Sequence, residues 1–156
     1  MNRSELHCYI EDNIVVSSRQ IIQYFVSQGK TNTSVRKSIS RLKDPFRSVS
    51  KIHLANKAKI FYHKAFWKTP DYCEKLTKIL LEEHSVYGYA LEALRAKSGF
   101  IVEKDFPIIC GSGNQKGHIP PELIKQNLLD SGLLSSINIE AMGTYLYLSA
   151  YNNISV

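Results

Sequence analysis

The apolar residues of this chain change their period in mid-sequence, and few folds accommodate that change. Up to Leu42 they recur at helical spacing; beyond Asp44-Pro45 they alternate, the period of a strand with one face turned inward. Ser4 is placed to cap a first short helix with Leu6 and Ile10 on its inner face. Ser17-Ser18 opens a second, whose stripe is Ile21, Ile22 and Phe25 and whose stop is Gln28-Gly29. After the polar turn Lys30-Thr31-Asn32-Thr33, the spacing of Val35, Ile39 and Leu42 predicts a third helix over 33–43, stopped by Asp44-Pro45. Two alternating runs then predict a hairpin. Val49 to Leu54 turns Ile52 and Leu54 inward with Lys51 and His53 outward. Ile60 to Phe66 places Ile60, Tyr62 and Phe66 on one face, and Ala55-Asn56-Lys57 makes the turn between the runs. Trp67 is expected to pack at the end of this first module.

The plan then repeats without any repeat of sequence. Thr69-Pro70-Asp71 combines a cap, a proline suited to the first turn and a carboxylate that complements the helix dipole. The helix it opens carries Cys73, Leu76, Ile79 and Leu80 as its stripe, breaks near His84-Ser85, and resumes through Val86, Ala90, Leu91 and Leu94 to Ser98-Gly99. Phe100 to Cys110 reads as a strand interrupted near Pro107, and 111–117 as a glycine-containing loop. A helix over 120–131 and a hairpin, Leu133–Ile139 and Thr144–Leu148, close the pattern. The expected class is α+β, in two modules spanning 1–68 and 69–156.

Charge divides at the same boundary. The whole chain of 156 residues has a formal net charge of +6. Residues 1–68 carry 13 basic against 4 acidic side chains, a balance of +9; residues 69–156 carry 7 against 10, a balance of −3. Between 30 and 68 the single acid is Asp44. A basic surface gathered on one module points to a polyanionic partner.

The first module resembles the winged helix-turn-helix superfamily. The resemblance rests on Val16-Ser17-Ser18-Arg19-Gln20-Ile21-Ile22, on Gly29, on Thr33 through Leu42, and on the hairpin after them. It implies a recognition helix packed on the helix before it, with a two-stranded wing alongside. The second module is similar to a distant, modified winged helix in which 100–110 takes the place of the second helix and 120–131 the recognition position. With Val35, Ile39 and Leu42 in the core, Arg36, Lys37, Ser40 and Arg41 are free to reach duplex DNA. Thr33, Ser34 and Ser38 supply short hydroxyls, and Lys57 and Lys59 on the wing reach the backbone. The expected function is a DNA-binding transcriptional regulator or DNA-targeting module. The alternative is a protein-interaction or dimerisation scaffold built from winged helices, which a domain of a longer protein would also fit. The helix over 120–131 carries Glu122, Lys125, Gln126, Asn127 and Asp130, nearly neutral in sum, so the second module is expected to meet a protein partner or a second copy. Tyr145, Tyr147 and Tyr151 are expected as strand core residues or as part of that interface.

Enzymatic chemistry has no foothold in the sequence. Gly111 to Lys116 lacks the spacing of a phosphate-binding loop. Cys8, Cys73 and Cys110 stand apart, without metal-ligand spacing, and Glu103, Asp105 and Glu122 match no metal-nuclease pattern. Neither catalytic residues, nor a metal, nor a cofactor are expected. No apolar run reaches the roughly 20 residues that cross a bilayer. Sparse cysteines and the lack of an apolar leader lead to the expectation of a cytoplasmic protein with free thiols.

Overall fold

A computed structural model of the chain describes residues 3–42, 48–55, 58–111 and 119–149. The class is α+β, in two compact units, Met1–Trp67 and Lys68–Val156. None of the described helices is long and apolar enough to cross a membrane.

In the first unit, helix α1 (Arg3–Asn13) buries Leu6 and Ile10 completely. A short strand β1 (Val15–Ser17) follows, which the sequence did not announce, since three residues are too few to show a period. Ser17 then caps α2 (Ser18–Ser27). Its hydroxyl accepts from the Gln20 amide at 3.1 Å, and the Gln20 side chain accepts from the Ser17 amide at 3.0 Å, so two orphan donors are satisfied reciprocally. Gly29, at φ +92, turns the chain out of α2. Thr31 caps α3 (Asn32–Ser40) by accepting from the Ser34 amide at 3.1 Å.

Helix α3 ends at Ser40 rather than at the expected 43. The Ser40 hydroxyl donates to the Lys37 carbonyl at 2.8 Å, and the Leu42 amide bonds back only three residues, to Ile39, so the last turn tightens and closes before proline is reached. Leu42 is still buried, just past the helix end.

Strands β2 (Val49–His53) and β3 (Lys59–His63) pair antiparallel with Lys51 opposite Phe61, and β1 joins β3 with Val16 opposite Phe61, giving the order β1–β3–β2. Val16, Val49 and Phe61 share one face and pack with Leu6, Ile10, Ile21, Phe25, Val35, Ile39 and Leu42. Ile52 and Leu54 are buried as expected, yet in β2 the residue in this helix-facing cluster is Val49. Lys51 shares the Val49 face, half-buried, and its ammonium donates to the Leu42 carbonyl at 3.3 Å. The expected strand over 60–66 stops at His63. There the imidazole Nδ1 accepts from the Ala65 amide and a 3₁₀ turn, Lys64–Phe66, leads away, leaving Phe66 37% and Trp67 39% exposed. Phe66 therefore does not share with Ile60 the inward face that the alternation predicts.

The second unit opens with α4 (Pro70–Glu83), capped by Thr69, and α5 (Ser85–Ala96), separated at His84. The two helices pack so closely that a Cβ on Gly88 would lie 2.8 Å from the Leu81 Cα. Phe100–Val102 forms β4, but the rest of the expected strand is a 3₁₀ turn, Glu103–Asp105, and a helix α6 (Phe106–Gly111). Pro107 sits in the first turn of that helix, where its missing N–H has no ladder partner to lose. Helix α7 (Pro121–Ser131) ends at Gly132, φ +84, and β5 (Leu134–Ile139) and β6 (Gly143–Leu148) complete a sheet ordered β4–β6–β5. Each unit therefore runs helix, strand, helix, helix, strand, strand, with the last strand central in its sheet. The second unit has the additional helix α4. The loop expected after Gly111 lies outside the described residues.

Candidate nucleic-acid interface

The burial of Val35 and Ile39 fixes how α3 is rotated about its axis. Opposite that stripe, Thr33, Arg36, Lys37, Ser40 and Arg41 are exposed, and Ser34 and Ser38 are half-buried at the edge. Thr31, Thr33, Ser34, Lys37, Ser38 and Arg41 line an open concavity of about 430 Å³. Among the described residues its lining is four hydroxyls, one ammonium and one guanidinium, with no carboxylate. None of Arg36, Lys37 and Arg41 forms an ion pair among the described residues. A surface of exposed cations and hydroxyls is suited to phosphate oxygens and to base acceptors.

The expected site residues divide accordingly. Thr33, Ser34, Lys37 and Arg41 come together in the concavity. Arg36 and Ser40 lie off it: the Arg36 Nε donates to the Asn32 Oδ1 at 2.5 Å, and the Ser40 hydroxyl proton goes to the Lys37 carbonyl. Lys59, at the start of β3, is half-buried and does not line the concavity. Lys57 lies outside the described residues. Sequence reasoning overlooked Thr31, which read as part of a polar turn, and Asn32, which orients Arg36. The cap spacing Thr31 to Ser34 and the one-turn spacing Asn32 to Arg36 were the available signals.

Helix α7 holds the equivalent place in the element order of the second unit and offers a different surface. The Lys125 ammonium lies 2.7 Å from Glu122 and 3.4 Å from Glu103; the bond to Glu122 foremost, with the Glu103 charge, holds its pKa above the usual lysine range. The Gln126 side chain donates to Asp130 at 2.9 Å. Asn127, expected on the surface, is buried and accepts from the Tyr87 hydroxyl at 2.6 Å, which the helical position alone could not reveal. On one face of the second sheet, Phe100 stacks on Tyr145 and Tyr147 with ring centroids 5.0 and 6.4 Å apart. Phe100 is 46% exposed and Ile137, on the same face by register, 45%. Tyr151 lies outside the described residues.

Elsewhere, Glu11 ties α1 to one end of the β2–β3 pair, where β2 begins and β3 ends. Its carboxylate accepts from the Ser48 hydroxyl at 2.6 Å and lies 3.0 Å from His7 and 3.5 Å from His63. The Ser48 hydrogen bond first, and then the two imidazoles, hold its pKa below the usual carboxylate value. Among the described residues, no group of three or more His, Cys, Asp or Glu is placed to hold a metal ion. Burial pushes the Cys73 thiol up to about 11 and the Cys110 thiol up to about 12, so both are protonated at neutral pH and poor nucleophiles. No protein-family model matches the chain, and no curated protein matches it.

Proposed function

We propose that the chain is a duplex-DNA-binding protein, a transcriptional regulator or DNA-targeting module, in which the first unit holds the DNA through α3. The observation that carries this reading is the α3 concavity, where two exposed cations and four hydroxyls gather with no acid among the described lining residues. The element order and the β1–β3–β2 sheet support reading the unit as a winged helix-turn-helix, with α3 as the recognition helix and the β2–β3 hairpin as the wing. The matching order and sheet of the second unit support a tandem arrangement of two such modules. The reading assigns no catalytic step, metal or cofactor to either unit.

The second unit takes a different role in this proposal. With Lys125 held by two carboxylates, α7 has little to offer phosphate, whereas the Phe100, Tyr145, Tyr147 and Ile137 face suits a protein partner or a second copy. The test is binding of the full chain to labelled mixed-sequence duplex across a salt series. Binding that weakens steeply with salt supports the proposal. Binding that is absent at low ionic strength, in a chain that remains folded, leaves the scaffold reading in its place.

A further inference from the structure

We infer that α3 selects DNA containing guanine, with Lys37 and Arg41 reading the O6 and N7 acceptors of guanines in the major groove. The inference rests on the DNA-binding reading above and adds the class of base.

Each base pair offers its own pattern in the major groove. Guanine shows two acceptors, adenine an acceptor and a donor, cytosine a donor, and thymine an acceptor beside a methyl group. Adenine is met bidentately by Asn or Gln, and cytosine by a carboxylate. From Thr31 to Arg41 there is no carboxylate and no glutamine. The single amide, Asn32, has its oxygen held by the Arg36 Nε at 2.5 Å. The strong groups on the exposed face are therefore donors, and the base that presents only acceptors, two of them adjacent, is guanine. Lys37 and Arg41 are exposed, unpaired among the described residues, and joined by one concavity. They stand one helical turn apart, a rise of about 6 Å. That rise spans about two base-pair steps, so the guanines they reach lie within about three base pairs of each other. Arg36, turned aside by Asn32, is left for phosphate.

Phosphate oxygens are also acceptors, so the experiment must separate base from backbone. The full chain is first used to select duplexes from a randomised pool at moderate salt. Affinity is then measured for the selected duplex and for the same duplex with every guanine replaced by 7-deazaguanine, which loses N7 but keeps charge and Watson–Crick pairing. The expected result is selection of closely spaced guanines and binding weakened roughly 5- to 150-fold by the 7-deaza duplex. Lys37→Ala and Arg41→Ala should each shrink that ratio. Arg41→Lys, which keeps the charge but loses the fork, should shrink it while leaving the salt dependence intact. Arg36→Ala should lower the salt dependence and leave the ratio alone. Selection without guanine enrichment, or equal affinity for the two duplexes with the salt dependence retained, overturns the guanine inference and leaves DNA binding standing. No salt-dependent binding to any duplex overturns both.

Discussion

At the scale of single residues, neighbours decide what a side chain can do as much as its type does. Arg36 and Lys37 on α3 and Arg41 at its C-terminal cap are three cations, yet Asn32 holds the first aside while the other two line the concavity. Capping residues matter to this site because they determine where α3 begins. Thr31→Ala should cost about 1 kcal/mol of stability by removing the acceptor for the Ser34 amide, read as a lower midpoint in denaturant unfolding. Glu11 supplies a pH dependence whose sign follows from its depressed pKa. Its contribution is present above the usual carboxylate pKa and is lost as pH falls through the lower folded value. Glu11→Gln should therefore reduce stability near neutral pH and flatten the loss of stability on acidification. A variant whose stability tracks the parent protein across that range would remove Glu11 as a source of it. That Arg36 and Lys37 leave the Val35–Ile39 stripe was legible in the sequence. The pairing of Arg36 with Asn32 was not, because it depends on side-chain rotamers rather than period.

At the scale of elements, the long, strongly periodic segments were legible and the short or mixed ones were not. The α2 and α4 helices follow from Ser17 and Thr69 as caps and from their stripes. Strand β1 is too short to show a period, and 100–110 reads as strand because Phe100, Ile101, Phe106, Ile108 and Ile109 are apolar in a run without period. The structure divides that run between β4 and α6, with Pro107 as an opening residue rather than an interruption. Helix packing offers a sharper test than helix boundaries. Gly88 lets α5 lie against the α4 backbone at Leu81. Gly88→Ala should destabilise the chain by roughly 1–3 kcal/mol, because the nearest atom is backbone and cannot rotate away. A thermal midpoint equal to that of the parent protein would contradict so tight an approach.

At the scale of the whole molecule, two units with the same element order carry opposite charge balances, and this contrast is the basis for assigning them different roles. The +9 of residues 1–68 was legible from composition, as was the near-neutrality of the helix now seen as α7. What composition could not supply was the neutralisation of Lys125 by Glu103, a residue 22 positions away, or the withdrawal of Asn127 into the core. These support assigning the proposed DNA binding to the first unit rather than the second. The most direct measurement is the slope of log affinity against log salt for the full chain on a mixed-sequence duplex. It is compared with a variant reversing Arg36, Lys37 and Arg41 to Glu, and with one reversing the exposed Lys78, Lys97 and Lys104 of the second unit. The account predicts a steep negative slope, with roughly 0.9 per phosphate contact, that the first variant abolishes and the second leaves nearly unchanged. Binding lost equally in both variants, or insensitive to salt in the unaltered chain, would contradict it.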